Sequence, residues 1–377
     1  MRTGPTKVLF VEPASDLAGV SQYILKIARH IGKEFRLYFA GPSGGQLLND
    51  IDFAKRVEFF SLSQNYKTLG GINAEAKDLR KIIADNSIDI LHAHTLRAAF
   101  LCAYAARGRH FVKFIYTPHG FRFTQLRNGA KKLGVFLIDY FVCACADRVV
   151  VLSQSEKNDA IRFHLPHAKT YAIIPTSIDA PAASQNIERP ADIPSDAFVV
   201  GMIGRIAPQK DPFGFLQAAI IIKKTVSKAF FVWIGDGELK DELERKIKEA
   251  GLQDSFLIMG QVSHDKVLAA PFYIDTILFT SWYEGLPIVL LEMLSVGIPV
   301  VAAQVGSIPD VIKNGSTGWL FQPGDYEIAA ELVTNTSHLS SQDVLRMKSQ
   351  QRTLVAEKYI PESREAMEYE KLYYFPQ

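Results

Sequence analysis

Cysteine is scarce in this 377-residue chain: Cys102, Cys143 and Cys145 are the only three. An odd number, set in apolar stretches without a companion His or Cys pair, speaks against a disulfide framework and a zinc module. It predicts reduced core thiols in a cytosolic protein. Long apolar runs are missing too. The nearest, residues 133–152, is broken by Asp139, Asp147 and Arg148 and falls short of the ~18 residues that a spanning helix needs. Residues 1–5 lead straight into an apolar run and lack the shape of a secretory signal. Neither an internal repeat nor a low-complexity tract is present, which excludes solenoids and linker-like chains.

Acid is absent altogether between residues 90 and 138, where Arg97, Arg107, Arg109, Lys113, Arg122, Arg127, Lys131 and Lys132 all fall. That locally basic region reads either as a solvated face over a core helix or as a docking surface for an anionic bilayer. No nucleic-acid-binding module accompanies it, so no nucleic-acid partner is expected. The net charge of the whole chain, +2, excludes neither anionic nor neutral ligands.

What is present is a globular composition, 48% hydrophobic and 22% charged, in a chain long enough for two domains of roughly 150 to 200 residues. Strand-like apolar runs alternate with amphipathic helical stretches from the start, which predicts parallel sheets covered by helices on both faces. Strands are expected at 7–11, 35–40, 57–62, 88–94, 112–117 and 149–152. Helices are expected near 20–31, 73–85, 96–106 and 131–146. Between 179 and 196 the composition shifts to Pro, Ala, Ser and Asn, which marks a linker at 181–197 between a domain over 1–180 and another over 198–360. The second half repeats the alternation, with strands at 198–203, 230–234, 256–259, 276–279 and 299–302. The fold class is therefore α/β, with two doubly wound Rossmann-like domains presenting strand ends to a common cleft. A last helix is expected within 361–377.

Two stretches carry chemistry. Gly204-Arg205-Ile206-Ala207-Pro208-Gln209-Lys210 follows the buried strand at 198–203 and places two cations at its C-terminal end, suited to a diphosphate. Glu284-Gly285-Leu286-Pro287-Ile288-Val289-Leu290-Leu291-Glu292 follows the strand near 276–281. It offers a glycine turn, a proline at an expected first helical position, and a carboxylate inside an apolar helix. Amides near Leu286 to Ile288, with the helix dipole, attract phosphate. Glu292 lies among Val289, Leu291, Met293 and Val296, where an ionised carboxylate is costly unless bonded. Ribose hydroxyls would bond it, and the set suits a sugar nucleotide.

With the Gly235-Asp236-Gly237 turn between them, these stretches in this order resemble the retaining glycosyltransferases of family 4, which have the GT-B fold. The resemblance implies that Arg205 and Lys210 hold the donor diphosphate, Glu284 the transferred sugar and Glu292 the nucleotide ribose. His119, in Thr117-Pro118-His119-Gly120-Phe121, matches a histidine that contacts the transferred sugar in such enzymes. Gly19 matches one of two adjacent glycines whose amides approach the donor; Ala18 stands where the other is usual. Gly235, Gln261 and Val262 would line the base pocket, and in GT-B proteins a terminal helix packs back on the first domain.

His92 and His94 alternate on a strand and point to one face, with a structural or acceptor-side role. A third metal ligand cannot be placed, so neither metal nor cofactor is expected. The implied activity is transfer of a sugar, from a UDP-sugar as the expected donor, to a glycan or a polyprenyl-diphosphate-linked glycan. The setting is bacterial exopolysaccharide or capsule assembly, in the cytoplasm or at its membrane face. An epimerase of the same architecture and a non-catalytic sugar-nucleotide-binding protein are the rivals.

Overall fold

The apolar runs become the strands of two parallel sheets. This computed structural model describes residues 4–12, 18–43, 51–62, 68–107, 112–126, 129–178, 189–359 and 361–374. It divides into two units, residues 1–177 with 360–377, and residues 178–359. Of the expected linker, residues 181–188 lie outside the described residues.

The first unit runs β1 (Thr6–Val11), α1 (Ala18–His30), β2 (Phe35–Gly41), α2 (Ile51–Arg56), β3 (Val57–Ser61), α3 (Leu69–Asn86) and β4 (Ile90–His94). It continues through α4 (Leu96–Ala106), β5 (Lys113–Thr117), α5 (Gly129–Cys145), β6 (Arg148–Val151), α6 (Gln154–Arg162) and β7 (Ala172–Ile173). Its sheet has the order β3-β2-β1-β4-β5-β6-β7. Helices cover both faces, so successive residues of one strand enter different cores. Leu9, Val11, Leu91 and Ala93 pack with α3 and α4, while Val8, Phe10 and Ile90 pack with Ile24 and Ile27 of α1. The chain runs outward from β1 to β3, then returns to set β4 against β1. The carboxyl ends of β1 and β4 therefore flank a switch point, where open α/β sheets take ligands.

The second unit runs β8 (Phe198–Ile203), α7 (Pro212–Thr225), β9 (Ala229–Ile234), α8 (Lys240–Glu249), β10 (Phe256–Gly260), α9 (His264–Ala269) and β11 (Thr276–Phe279). It continues through α10 (Ile288–Val296), β12 (Val300–Ala303), α11 (Ile308–Val311), β13 (Trp319–Phe321), α12 (Tyr326–Thr336) and α13 (Ser341–Lys358). The sheet order is β10-β9-β8-β11-β12-β13, with its switch point between β8 and β11. Both cation- and carboxylate-bearing loops leave from those two strands.

Helix α14 (Glu362–Tyr373) belongs to the first unit and packs on α1. Ala366, Tyr369 and Tyr373, one apolar stripe, are buried with Ile24, Ile27 and Phe35. The Tyr369 and Tyr23 hydroxyls are 2.6 Å apart, and Glu365 accepts from the amide and hydroxyl of Ser177.

Two expectations need correction. Cys102 and Cys143 are buried, but Cys145 is exposed, because the last turn of α5 presents it away from the core. Pro287 is not the first helical residue: its ψ of 122° is extended, so it precedes α10 as the N-cap. Among the described residues no helix is long and apolar enough to cross a membrane.

Candidate active site

In the second unit the site is built by three loops stitched through their backbones. Gly204 N–H donates to Ile234 O at 2.9 Å, and Ile206 N–H to Asp236 O at 2.9 Å, joining the β8 and β9 loops. Gly235 has to be glycine: its φ is +145°, and a Cβ would stand 2.1 Å from Gly204 O. Trp282 N–H donates to Gln209 O at 2.9 Å, and Thr280 Oγ1 to Lys210 O at 3.0 Å, joining the β8 and β11 loops. The loop after β8 closes into α7 through Asp211, whose carboxylate accepts from Gly214 N–H at 3.1 Å and from the Tyr326 hydroxyl. Burial pushes the Asp211 carboxyl up, against those two bonds.

That stitching brings Lys210 to Glu284. Lys210 Nζ lies 2.5 Å from Glu284 Oε1, with side chains 14% and 6% exposed, and Ser281 Oγ donates to the same oxygen at 2.6 Å. Arg205 is different. Half-exposed, among the described residues it pairs with Glu238, at 3.9 Å, and its guanidinium has the geometry to pair with an anion.

Helix α10 opens beside Glu284. Pro287 offers no side-chain cap, and among the described residues nothing accepts from the amides of Leu286, Ile288 or Val289. Such unbonded amides at a helix start form an anion site. Glu292, one turn into the helix, is buried as its apolar neighbours require, and it has a protein partner: His264 Nε2 is 2.8 Å from its Oε1. Ribose is thus not needed to satisfy that oxygen. Val262 lies between β10 and α9, packed on the core, while Gln261 beside it is exposed.

In the first unit β4 and β5 end side by side, with His94 opposite Thr117. Thr95 and His119 just beyond hold φ of 112° and 53°. Such conformations cost non-glycine residues of order 1–3 kcal/mol and gather at functional sites. The His119 turn is pinned by Glu156, which is buried and accepts from Gly120 N–H at 2.6 Å and from Leu152 N–H at 2.7 Å. His119 Nε2 lies 3.1 Å from His94 Nδ1, and the Tyr23 and His119 rings stand perpendicular with centroids 4.8 Å apart. His92, behind them, bonds Tyr373 and Thr117 at 2.8 and 2.9 Å. Burial lowers His92 and His119 to about 3, and holds His94 well below the usual imidazole range. All three are neutral near pH 7. Gly19 is in the first turn of α1 rather than ahead of the helix.

Two family models match the chain, Glycosyltransferase Family 4 over residues 17–180 and Glycosyl transferases group 1 over residues 183–353. The chain belongs to the family 4 glycosyltransferases. This family member is 26% identical over 333 residues, 85% of each sequence, to the UDP-Gal:alpha-D-GlcNAc-diphosphoundecaprenol alpha-1,3-galactosyltransferase of Escherichia coli. Its fold matches Anabaena HepE, solved in complex with UDP and glucose, at a TM-score of 0.80 and 20% identity, across 98% of this chain and 100% of that one. The sucrose-phosphate synthase of Thermosynechococcus elongatus matches at a TM-score of 0.83 and 16% identity, covering 98% of both chains. At such identities the likeness establishes the GT-B fold.

Sequence reasoning singled out Arg205, Lys210, Glu284 and Glu292 and missed Ser281, His264 and Gly306. Ser281 had a signal, standing three residues before Glu284. His264 also had one, closely following the end of β10. Gly306 had none: it supports the site by close approach, its absent Cβ leaving room for Glu284 O.

Proposed function

We propose that this glycosyltransferase moves a hexose from a UDP-sugar to a hydroxyl of a polyprenyl-diphosphate-linked glycan, with retention at the anomeric carbon and without a metal. The carrying observation is the convergence of Arg205, Lys210 and Glu284 at one switch point beside the unbonded amides of α10. Arg205, Lys210 and those amides, presented by the Gly285-Leu286-Pro287-Ile288 turn, neutralise the departing diphosphate. Glu284, held by Lys210 and Ser281, and His119 address the transferred sugar. Glu292 takes the ribose through its second oxygen, Gly235 and Val262 border the base, and the Gly19 turn approaches the donor.

In the reaction, the bond from the anomeric carbon to the diphosphate oxygen breaks, and the acceptor oxygen bonds that carbon on the same face. The departing phosphate oxygen takes the acceptor's proton, so catalysis is positioning and charge stabilisation. UDP is favoured because the Escherichia coli relative is named for a UDP-sugar and HepE holds UDP. The lipid-linked acceptor is supported by the same relative.

A surface feature favours attachment to the membrane that carries such acceptors. Helix α5 turns Leu133 and Leu137, each 57% exposed, and Tyr140 to solvent, with Lys131 exposed beside them. Apolar side chains rimmed by cations suit an anionic bilayer surface.

Calorimetric titration with UDP, GDP, ADP and CMP, on the wild type and Arg205→Ala, tests the donor site. UDP is expected to bind alone, and weakly in the variant; no binding by folded protein would end the assignment. Transfer from UDP-sugars to lipid-linked acceptors, with the anomeric configuration of the product read by NMR, tests the rest. Co-sedimentation with anionic vesicles, lost in Leu133→Asp, tests the attachment.

A further inference from the structure

Which ring nitrogen of His119 carries hydrogen decides whether it can give a hydrogen bond at the sugar or only accept one. The contact with His94 settles that choice. His119 Nε2 and His94 Nδ1 are 3.1 Å apart, so one must bear a hydrogen and the other a lone pair. His94 is fully buried, and its Nε2 is buried with no partner among the described residues.

Suppose His94 accepted from His119. Its own hydrogen would then sit on Nε2, an orphaned N–H in the interior, which folded proteins rarely tolerate. With the hydrogen on Nδ1, His94 donates to His119 and leaves only a bare lone pair at Nε2. Double protonation is excluded by burial and by the adjacent His92, whose ring centroid is 4.1 Å away. Phe10 and Tyr23 close the remaining sides of the His94 ring, at 5.9 and 5.7 Å, and bring no opposite charge.

We propose that His94 is a positioning residue that locks His119 as the neutral tautomer with its hydrogen on Nδ1. His119 is thereby a fixed hydrogen-bond donor to an oxygen of the transferred sugar. No described residue bonds His119 Nδ1, so that N–H is free to do so. The Glu156 bond to Gly120 holds the turn while His94 holds the ring. The role at the sugar rests on the glycosyl-transfer reading; the tautomer does not.

Two measurements separate these. Proton–nitrogen correlation spectra of protein carrying nitrogen-15 histidine, assigned with His119→Asn, read the tautomer directly. A protonated Nδ1 and a bare Nε2 on His119, unchanged between about pH 6 and about pH 9, are expected. Hydrogen on Nε2 overturns the proposal. Kinetics then test the role at the sugar. His94→Asn keeps an N–H near the position of Nδ1 and is expected to hold kcat/KM within about twofold, while His94→Leu loses about fivefold, the worth of one hydrogen bond. UDP affinity, set by the second unit, stays unchanged in both. Equal losses in Asn and Leu, with both folded by their melting curves, would show that only bulk matters and sink the positioning role. If wild type binds no UDP and transfers no sugar, the role at the sugar falls with the functional reading, while the nitrogen shifts still decide the tautomer.

Discussion

Lys210 Nζ sits 2.5 Å from Glu284 Oε1, so a cation assigned to the donor phosphates and a carboxylate assigned to the sugar hold each other. Neither is well solvated. Each therefore keeps the other from being an uncompensated buried charge. Arg205, half-exposed and loosely paired, carries no such structural duty.

The contrast predicts opposite stability effects at the two cations. Lys210→Met is expected to lower unfolding free energy by about 3 kcal/mol, because Glu284 is left unpaired. The double variant Lys210→Met with Glu284→Gln should recover much of that loss while transferring no sugar. Arg205→Ala should change stability by less than about 0.5 kcal/mol and still weaken UDP binding. Denaturant melts and calorimetry on the four proteins check all of this.

His264 holds Glu292 through the bond to Oε1, and the second oxygen is the one proposed above to take the ribose. His264→Phe is expected to weaken UDP about fivefold, the worth of one hydrogen bond. Inorganic pyrophosphate, which has no ribose, should bind both proteins equally. An equal loss for both ligands would place His264 on the phosphates instead.

Glycine positions separate into two kinds. At Gly306, with φ of +51°, an added Cβ would stand 1.8 Å from Glu284 O, so Gly306→Ala must displace the Glu284 loop. Activity should fall by more than about a hundredfold. Gly251 has φ of +68° but open space around it, and Gly251→Ala should cost only the ~1–2 kcal/mol of backbone strain with kcat unchanged. Steady-state rates beside thermal melts distinguish them.

Stability of the first unit should fall as pH rises through neutrality. Burial raises the carboxyls of Asp139, Glu156 and Glu365 to about 7. Their unfolded values are about 4, so between those limits the folded chain binds more protons and unfolding free energy declines with pH. The contribution is fully present below about pH 4 and is lost above about pH 7. His92, His94 and His119, held neutral in the fold, work the other way below about pH 6.5, so the comparison starts there: melting at about pH 6.5 should exceed that at about pH 8, with a flatter profile in Glu365→Gln. An unchanged profile in that variant would remove Glu365 from the account.

Much of this is legible in the sequence. Strands such as β8 and β11 are short apolar runs ended by glycine or polar residues, and burial on both faces makes them readable without partner information. The cations at 205 and 210 stand out because they directly follow such a run. Helix ends are less legible: Pro287 carries the φ of a helix start, but its ψ, which the ring does not set, is extended. The bond from His264 to Glu292 was unreadable, since the two are 28 residues apart on different elements.

Periodicity and turn chemistry are local properties of the chain, so the two doubly wound sheets and the residue types at their strand ends follow from the sequence. Tertiary structure alone decided the pairings. Lys210 meets Glu284 across 74 residues, His94 meets His119 across 25, and Tyr23 meets Tyr369 across 346. Each contact follows from which strands lie side by side and which helix closes over them. That order is set by the packing of whole faces, and no single stretch of the chain carries it.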